Sequence, residues 1–183
     1  MAKFIGRHTI IIDGAPYMSR YWLGRLRLHI LYRGDVDPDA HDHPFSFWTF
    51  PLTPYVEEVV APRLARAVRL TTESLGESFN CPPSRATRWR QLVPAFKISH
   101  RPAGHAHRIL GRANSIATMF KKPGERIPHG MADAKFLADG PIVTIVWRGR
   151  KEREWGFLKN DGNLWCWRPW KKYIDGGKHV PCE

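Results

Sequence analysis

His41-Asp42-His43 is the part of this sequence whose chemistry is easiest to read. Side chains on an extended strand repeat every two residues, so both imidazoles fall on one face, with backbones about 6.5–7 Å apart. Both can converge on one metal ion, because neutral imidazole is a common ligand. Asp42 then points to the opposite face as a solvent or supporting group, and Pro44 limits pairing at that end. A second segment, Pro102-Ala103-Gly104-His105-Ala106-His107, places a Pro-x-Gly turn before another histidine and can aim His107 back across a sheet. His105 has the parity of His107 and stands as a reserve ligand. His100 lies just before the turn, and His8, His29, His129 and His179 lack partner spacing, so all five read as structural or solvent-facing.

These histidines need strands to hold them. Ile10, Ile11 and Ile12 precede Asp13-Gly14, and within Tyr17 to Tyr32 the series Leu26, Leu28, Ile30 alternates with Arg25, Arg27, His29, which predicts strand, turn, strand. An acidic loop, DVDPDA, leads into HDHPFSFWTFPL, a Pro-flanked turn at Thr53-Pro54 and YVEEVV, which together predict a hairpin over 41–60. Residues 61–95 read as a loop-rich, basic insertion, with a short helix or strand from Leu64 to Leu70 and paired prolines in NCPPSRATRW. Order returns with Phe96-Lys97-Ile98 and Ile109-Leu110, and SIATMF, PIVTIVW and EWGFLK then read as strands. Asn160-Asp161-Gly162 joins EWGFLK to NLWCWR in an aromatic C-terminal hairpin, 155–174.

At 183 residues, with 43% hydrophobic and 25% charged residues, the chain has the size and composition of one globular domain. Its 15 Gly, 15 Pro and eight Trp are spread along the sequence, which favours short strands joined by turns over a helical bundle. The formal charge is +12, and residues 61–108 carry nine Lys/Arg against two acidic residues. That excess suits an anionic partner, although no recognition helix, zinc finger or RNA-binding signature accompanies it, so a solvated arm is the simpler reading. The three cysteines, Cys81, Cys166 and Cys182, are odd in number and widely spaced, so the sequence supports neither a disulfide framework nor a Cys-based zinc site. With no apolar run of signal-peptide or membrane-span length, a reducing, cytoplasmic setting is expected. P-loop, GxGxxG, HExxH and GxSxG patterns are missing from the sequence, which removes the common ATPase, dinucleotide, zincin and serine hydrolase classes.

Taken together, His41-x-His43 and Pro102-x-Gly104-x-x-His107 resemble the paired motifs of the cupin superfamily. The resemblance implies an all-β, single-domain, cupin-like jelly-roll barrel carrying the loop-rich insertion, with His41, His43 and His107 as metal-binding histidines. The glutamate usual in the first cupin motif falls where this chain has Phe47 or Trp48. Under the hairpin reading of 41–60, the residue opposite Phe47 is Glu57 or Glu58, depending on turn length, and Glu57 is the preferred fourth ligand. Longer stretches, among them PYMSRYWLGR, LHILYRGDVDPDAHDHPFSFWTF, YVEE, HRI and PIVTIVWRGRKEREWGF, are similar to small, largely uncharacterised cupin-like proteins frequent in phage and prophage genomes.

Three imidazoles and a carboxylate suit one divalent transition metal, Fe, Mn, Ni or Zn, with coordination positions left open. The resemblance implies oxygenase- or isomerase-type chemistry on a small polar or anionic molecule. Phe45, Phe47 and Trp48 are expected to exclude solvent, and Arg108 to reach a carboxylate or phosphate as a bidentate donor, which makes Trp48 and Arg108 the candidate substrate contacts. Trp147, Trp155, Trp165, Trp167 and Trp170 alternate with arginines as a base-stacking platform does, but a packed hairpin needs the same pattern. Many small cupins pair, so a homodimer is expected. The alternative is a non-enzymatic scaffold of phage type, associated with a virion, nucleic acid or another protein.

Overall fold

The computed structural model describes residues 4–62, 80–81, 86–120, 126–127, 135–162 and 164–182. In chain order the strands are β1 (Ile5–Ile12), β2 (Ala15–Leu23), β3 (Leu26–Leu31), β4 (Ala40–His41), β5 (Phe47–Pro51), β6 (Tyr55–Pro62) and β7 (Asn80–Cys81). They continue with β8 (Ala86–Val93), β9 (Ser99–Arg101), β10 (Ala106–Ala113), β11 (Leu137–Ala138), β12 (Ile142–Arg148), β13 (Gly156–Asn160) and β14 (Trp165–Pro169). One sheet has the order β1-β2-β3-β12-β5-β9, and the other runs β7-β14-β13-β4-β10-β6-β8 with β11 beside β10. The two antiparallel sheets, called the first and the second in that order, curl over one another as a jelly-roll barrel. No helix among the described residues is long and apolar enough to cross a membrane.

Local chemistry explains the first turns. Asp13 and Gly14 both take positive φ, 53° and 74°, the conformation a tight hairpin between β1 and β2 requires. Gly34 is needed for a different reason: a Cβ there would lie 2.2 Å from the Leu110 carbonyl oxygen, so only glycine lets residues 33–35 run against β10.

Two layers of core follow from strand parity. Met18, Leu31 and Ile142 of the first sheet meet Tyr55 and Val93 of the second between the sheets. On its other face the second sheet carries Ala40, Val60, Ala106 and Leu158, packed with Trp165 and Trp167. Each such fully buried large side chain contributes roughly 1.5–3 kcal/mol. Burial of Trp165 and Trp167 (5% and 3% exposed) settles their pattern in favour of packing over base stacking.

Several expectations are corrected. Residues 41–60 are not a hairpin: β5 pairs with β12 and β9 in the first sheet, while β6 pairs with β10 and β8 in the second. Between them the chain turns the corner of the barrel, held by Leu52 N–H donating to the Val143 carbonyl (2.8 Å) and Val143 N–H to Thr53 Oγ1 (2.9 Å). SIATMF is not a strand. Asn114 Oδ1 accepts from Ala117 N–H at 3.1 Å and starts a 3-10 turn over Ala117–Met119. Within 61–95, β8 is paired with β6 along its whole length, whereas Leu64 to Leu70 and most of NCPPSR lie outside the described residues.

Cys166 and Cys182, whose spacing offers no reason to pair them, form a disulfide with a Cα–Cα distance of 5.7 Å. The terminal segment folds back along the β13–β14 hairpin, with Cys182 N–H donating to Asp161 Oδ2 (2.8 Å) and Lys159 Nζ to the Val180 carbonyl. A fold-back of this kind has no signature in cysteine spacing.

Candidate metal centre

Two neighbouring strands of the second sheet, β4 and β10, bring the histidines together. His41 on β4 is directly opposite His107 on β10 and Phe157 on β13. His43 follows just beyond β4, its N–H donating to the Ala103 carbonyl at 3.0 Å, so the first histidine segment is tied to the Pro102–Gly104 turn. That turn closes by a bond from His105 N–H to the Pro102 carbonyl, 2.9 Å, just before β10 begins. The result is one ring nitrogen each from His41, His43 and His107, all within 4.8 Å of one another.

The donor set fits a transition-metal ion. His43 Nε2 and His107 Nε2 are 2.9 Å apart, and two nitrogens held at a right angle by one ion, at about 2.0–2.1 Å each, lie about 3 Å apart. Burial, followed by the neighbouring His107 and His41, holds His43 well below the usual histidine range. Burial also lowers His41, against the opposing pull of Asp35. Both rings are therefore neutral near pH 7, the form that binds metal.

Glu57 approaches from β6, where it is opposite Ile109 and hence on the same face as His107. It joins His105 and His107 in a second cluster instead of entering the three-histidine group. His107 Nδ1 bonds Glu57 Oε2 at 2.7 Å, while Arg101 and Gln91 both donate to Oε1 at 2.6 Å. Burial alone would raise this fully buried carboxyl, but His105, His107 and Arg101 outweigh it and hold it well below the usual range. A carboxylate on Nδ1 fixes the ring orientation and leaves Nε2 free to face His43. His105 Nε2 stays 3.9 Å from Glu57 Oε1.

The neighbouring Glu58 faces the opposite side of β6. It is 2% exposed and gathers Arg88 (2.7 Å), Arg108 (3.4 Å) and Arg90 (3.7 Å). Part of the basic excess in 61–108 is therefore committed to one buried carboxylate. Asp42 also turns away from the histidines, as strand parity requires. Its oxygens accept from Gly156 N–H (2.7 Å) and Trp167 Nε1–H (2.9 Å), with Arg153 at 3.2 Å, and burial pushes its carboxyl up to about 6.

A cavity of about 480 Å³ opens between the sheets and takes His41, His43 and His107 into its wall. Phe45, Phe47, Trp155 and Phe157 give it an apolar lining, while Arg20, Arg27, His29 and Arg148 enter from the first sheet. Neither substrate contact expected from the sequence lies there. Arg108 is on the outer face of β10 with Glu58, and Trp48 is 52% exposed on the outer face of β5, beside His100 at 4.9 Å between ring centres. Strand parity accounts for both, since Arg108 follows the inward-facing His107 and Trp48 follows the inward-facing Phe47.

Asp35, in the acidic loop, is a site residue that the sequence motifs do not single out. It accepts from Ile109 N–H at 2.7 Å and from the Tyr17 hydroxyl, and lies 3.7 Å from His41 Nδ1. The available signal was Gly34, which permits that close approach. The inward-facing Arg27 and His29 were visible as the polar half of an alternating strand, a half that normally faces water.

No protein family matches the sequence, and no curated protein matches it. Similar solved structures include Fe(II) HppE, with 10% identity and a TM-score of 0.41, covering 81% of this chain and 58% of that one. DMSP lyase DddQ from Ruegeria pomeroyi DSS-3 has 16% identity and a TM-score of 0.34, covering 87% and 54%. Drosophila melanogaster CENP-C bound to CAL1 has 6% identity and a TM-score of 0.38, covering 78% and 81%. The chain thus spans little more than half the length of the first two, and at these scores the likeness carries no inference about chemistry.

Proposed function

We propose that this protein is a divalent-metal-binding, cupin-like protein of the small phage and prophage type, acting on a small polar or anionic molecule by oxygenase- or isomerase-type chemistry. The observation that carries this reading is the convergence of three histidine nitrogens within 4.8 Å in the wall of an apolar cavity. His41, His43 and His107 would hold the ion, with Fe, Mn, Ni and Zn all suited to imidazole ligands. When bound, such an ion supplies Lewis acidity and activates bound water or oxygen.

The chain's own residues prepare the site. Glu57 holds the His107 ring through Nδ1, and Asp35 stands beside His41 Nδ1. Phe45, Phe47, Trp155 and Phe157 exclude water from the reacting molecule, which strengthens every electrostatic contact made there. The test is elemental mass spectrometry on protein purified without chelator. One equivalent of metal in the wild type, lost in a His41/His43/His107 triple alanine variant, is expected. Stoichiometric metal retained by the triple variant overturns the site.

A second copy of the chain is the proposed partner. The outer face of the first sheet is unusually apolar: Trp147 is adjacent by register to both Trp48 and Leu26, and these three are 51%, 52% and 39% exposed. An exposed apolar strip of this kind suits a homodimer.

A further inference from the structure

The cavity wall contributed by the first sheet carries more positive charge than the fold needs. Arg20 on β2 is opposite His29 on β3, which is in turn opposite Thr144 on β12. One row further along, Arg27 is opposite Val146, and Arg148 lies two residues beyond Val146 on the same face. All three arginines and His29 line the cavity that holds the histidine cluster. Arg148 is exposed at the opening and sits over the Phe45 ring at 5.1 Å, while Arg20 and Arg27 are half-buried.

The charges on this wall are unmatched. Among the described residues, none of the three arginines has a carboxylate within ion-pair distance. The two acids that line the same cavity are already committed: Asp35 to Tyr17 and Ile109 N–H, and Asp37 to Lys178. Arg27 donates to the carbonyls of Gly24 (2.6 Å) and Leu26 (2.9 Å), which anchors its guanidinium without neutralising it. Arg20 Nε and His29 Nε2 are buried with no hydrogen-bond partner. Burial, then the charges of Arg20 and Arg27, push His29 down to about 3. Buried charge is normally paired, and here the matching anion is not supplied by the described chain.

We propose that Arg20, Arg27, Arg148 and His29 form an oxyanion subsite that receives the phosphate-type dianionic headgroup of the ligand. Arg20 and Arg148 act as planar, multi-donor clamps on the headgroup oxygens, Arg27 adds charge, and His29 Nε2 donates the remaining hydrogen bond. Resting on the metal reading, the assignment deepens it: the headgroup docks on the first sheet, and the rest of the ligand extends toward the histidines of the second. The subsite itself needs no metal.

Titration calorimetry with inorganic phosphate, at fixed ionic strength, tests the subsite on metal-depleted and metal-loaded protein. Saturable one-to-one binding is expected in both, unchanged in His43→Ala, so failure of the metal reading leaves this result standing. Arg20→Gln and Arg148→Gln should each weaken phosphate about tenfold or more, which corresponds to about 1.4 kcal/mol or more. Because no carboxylate partners Arg20, Arg20→Gln should also melt at the same or a higher temperature than the wild type in phosphate-free buffer. Absence of saturable phosphate binding, equal binding by the arginine variants, tighter binding of acetate than of phosphate, or a lowered melting temperature for Arg20→Gln would each overturn the assignment.

Discussion

Glu57→Gln separates a carboxylate that holds a histidine from one that binds metal. In the native protein every neighbour of this carboxylate is a donor: Arg101 and Gln91 at Oε1, and His107 Nδ1 at Oε2. A glutamine amide replaces only one of those oxygens and turns its NH₂ toward a donor, either the His107 ring or the Arg101 and Gln91 pair. It also removes the counter-charge of Arg101, whose side chain is 13% exposed. Breaking a buried ion pair by removing one partner costs about 3–5 kcal/mol, so the metal-free variant should lose stability on that scale. Losing the group that orients a metal-binding histidine typically weakens affinity about 10–100-fold, or about 1.4–2.7 kcal/mol. Glu58→Gln is the matched control, because that carboxylate holds Arg88, Arg90 and Arg108 on the opposite face of β6. It should lower stability and leave metal affinity alone. Urea unfolding of the metal-free proteins gives the first quantity, and competition against a chromophoric chelator gives the second. Affinity within about twofold of the wild type in Glu57→Gln would refute the orienting role, whereas a loss beyond about 1,000-fold would make Glu57 itself a ligand.

Three further outcomes are expected. His29 is held at about 3 in the folded protein against an ordinary value of 6.5, so the unfolded chain binds more protons between those values and stability rises with pH across that window. Its contribution has a limiting slope of about 1.4 kcal/mol per pH unit, and His29→Leu should flatten the stability profile below pH 6.5 by up to that amount; an unchanged slope refutes the buried, neutral state. The Cys166–Cys182 disulfide closes a separation of 16 residues, so Cys182→Ser should cost about 3 kcal/mol in non-reducing urea unfolding. Thiol titration of unreduced, unfolded wild type should find one free cysteine, and three would show the bond does not form. Trp48→Lys, on the exposed strip of the first sheet, should shift the protein from dimer to monomer in light scattering, while a monomeric wild type would remove the proposed interface.

The sequence by itself determined the repeating local features. Asp13-Gly14 turns the chain because its backbone tolerates positive φ, alternation builds β3 and β12, and the two histidine motifs identify the ring nitrogens that converge. Such features depend on neighbours within a few residues, and so they are written in order along the chain. Only the tertiary structure decided which strands pair. Placing β5 and β6 in different sheets undid the hairpin from which Glu57 had been argued, yet β6 still delivers Glu57 beside His107 because its actual neighbour is β10. The same pairing sent Trp48 and Arg108 outward and turned Arg20, Arg27 and His29 inward. Parity along one strand leaves the choice of face open, and that choice is made by contacts between residues far apart in sequence.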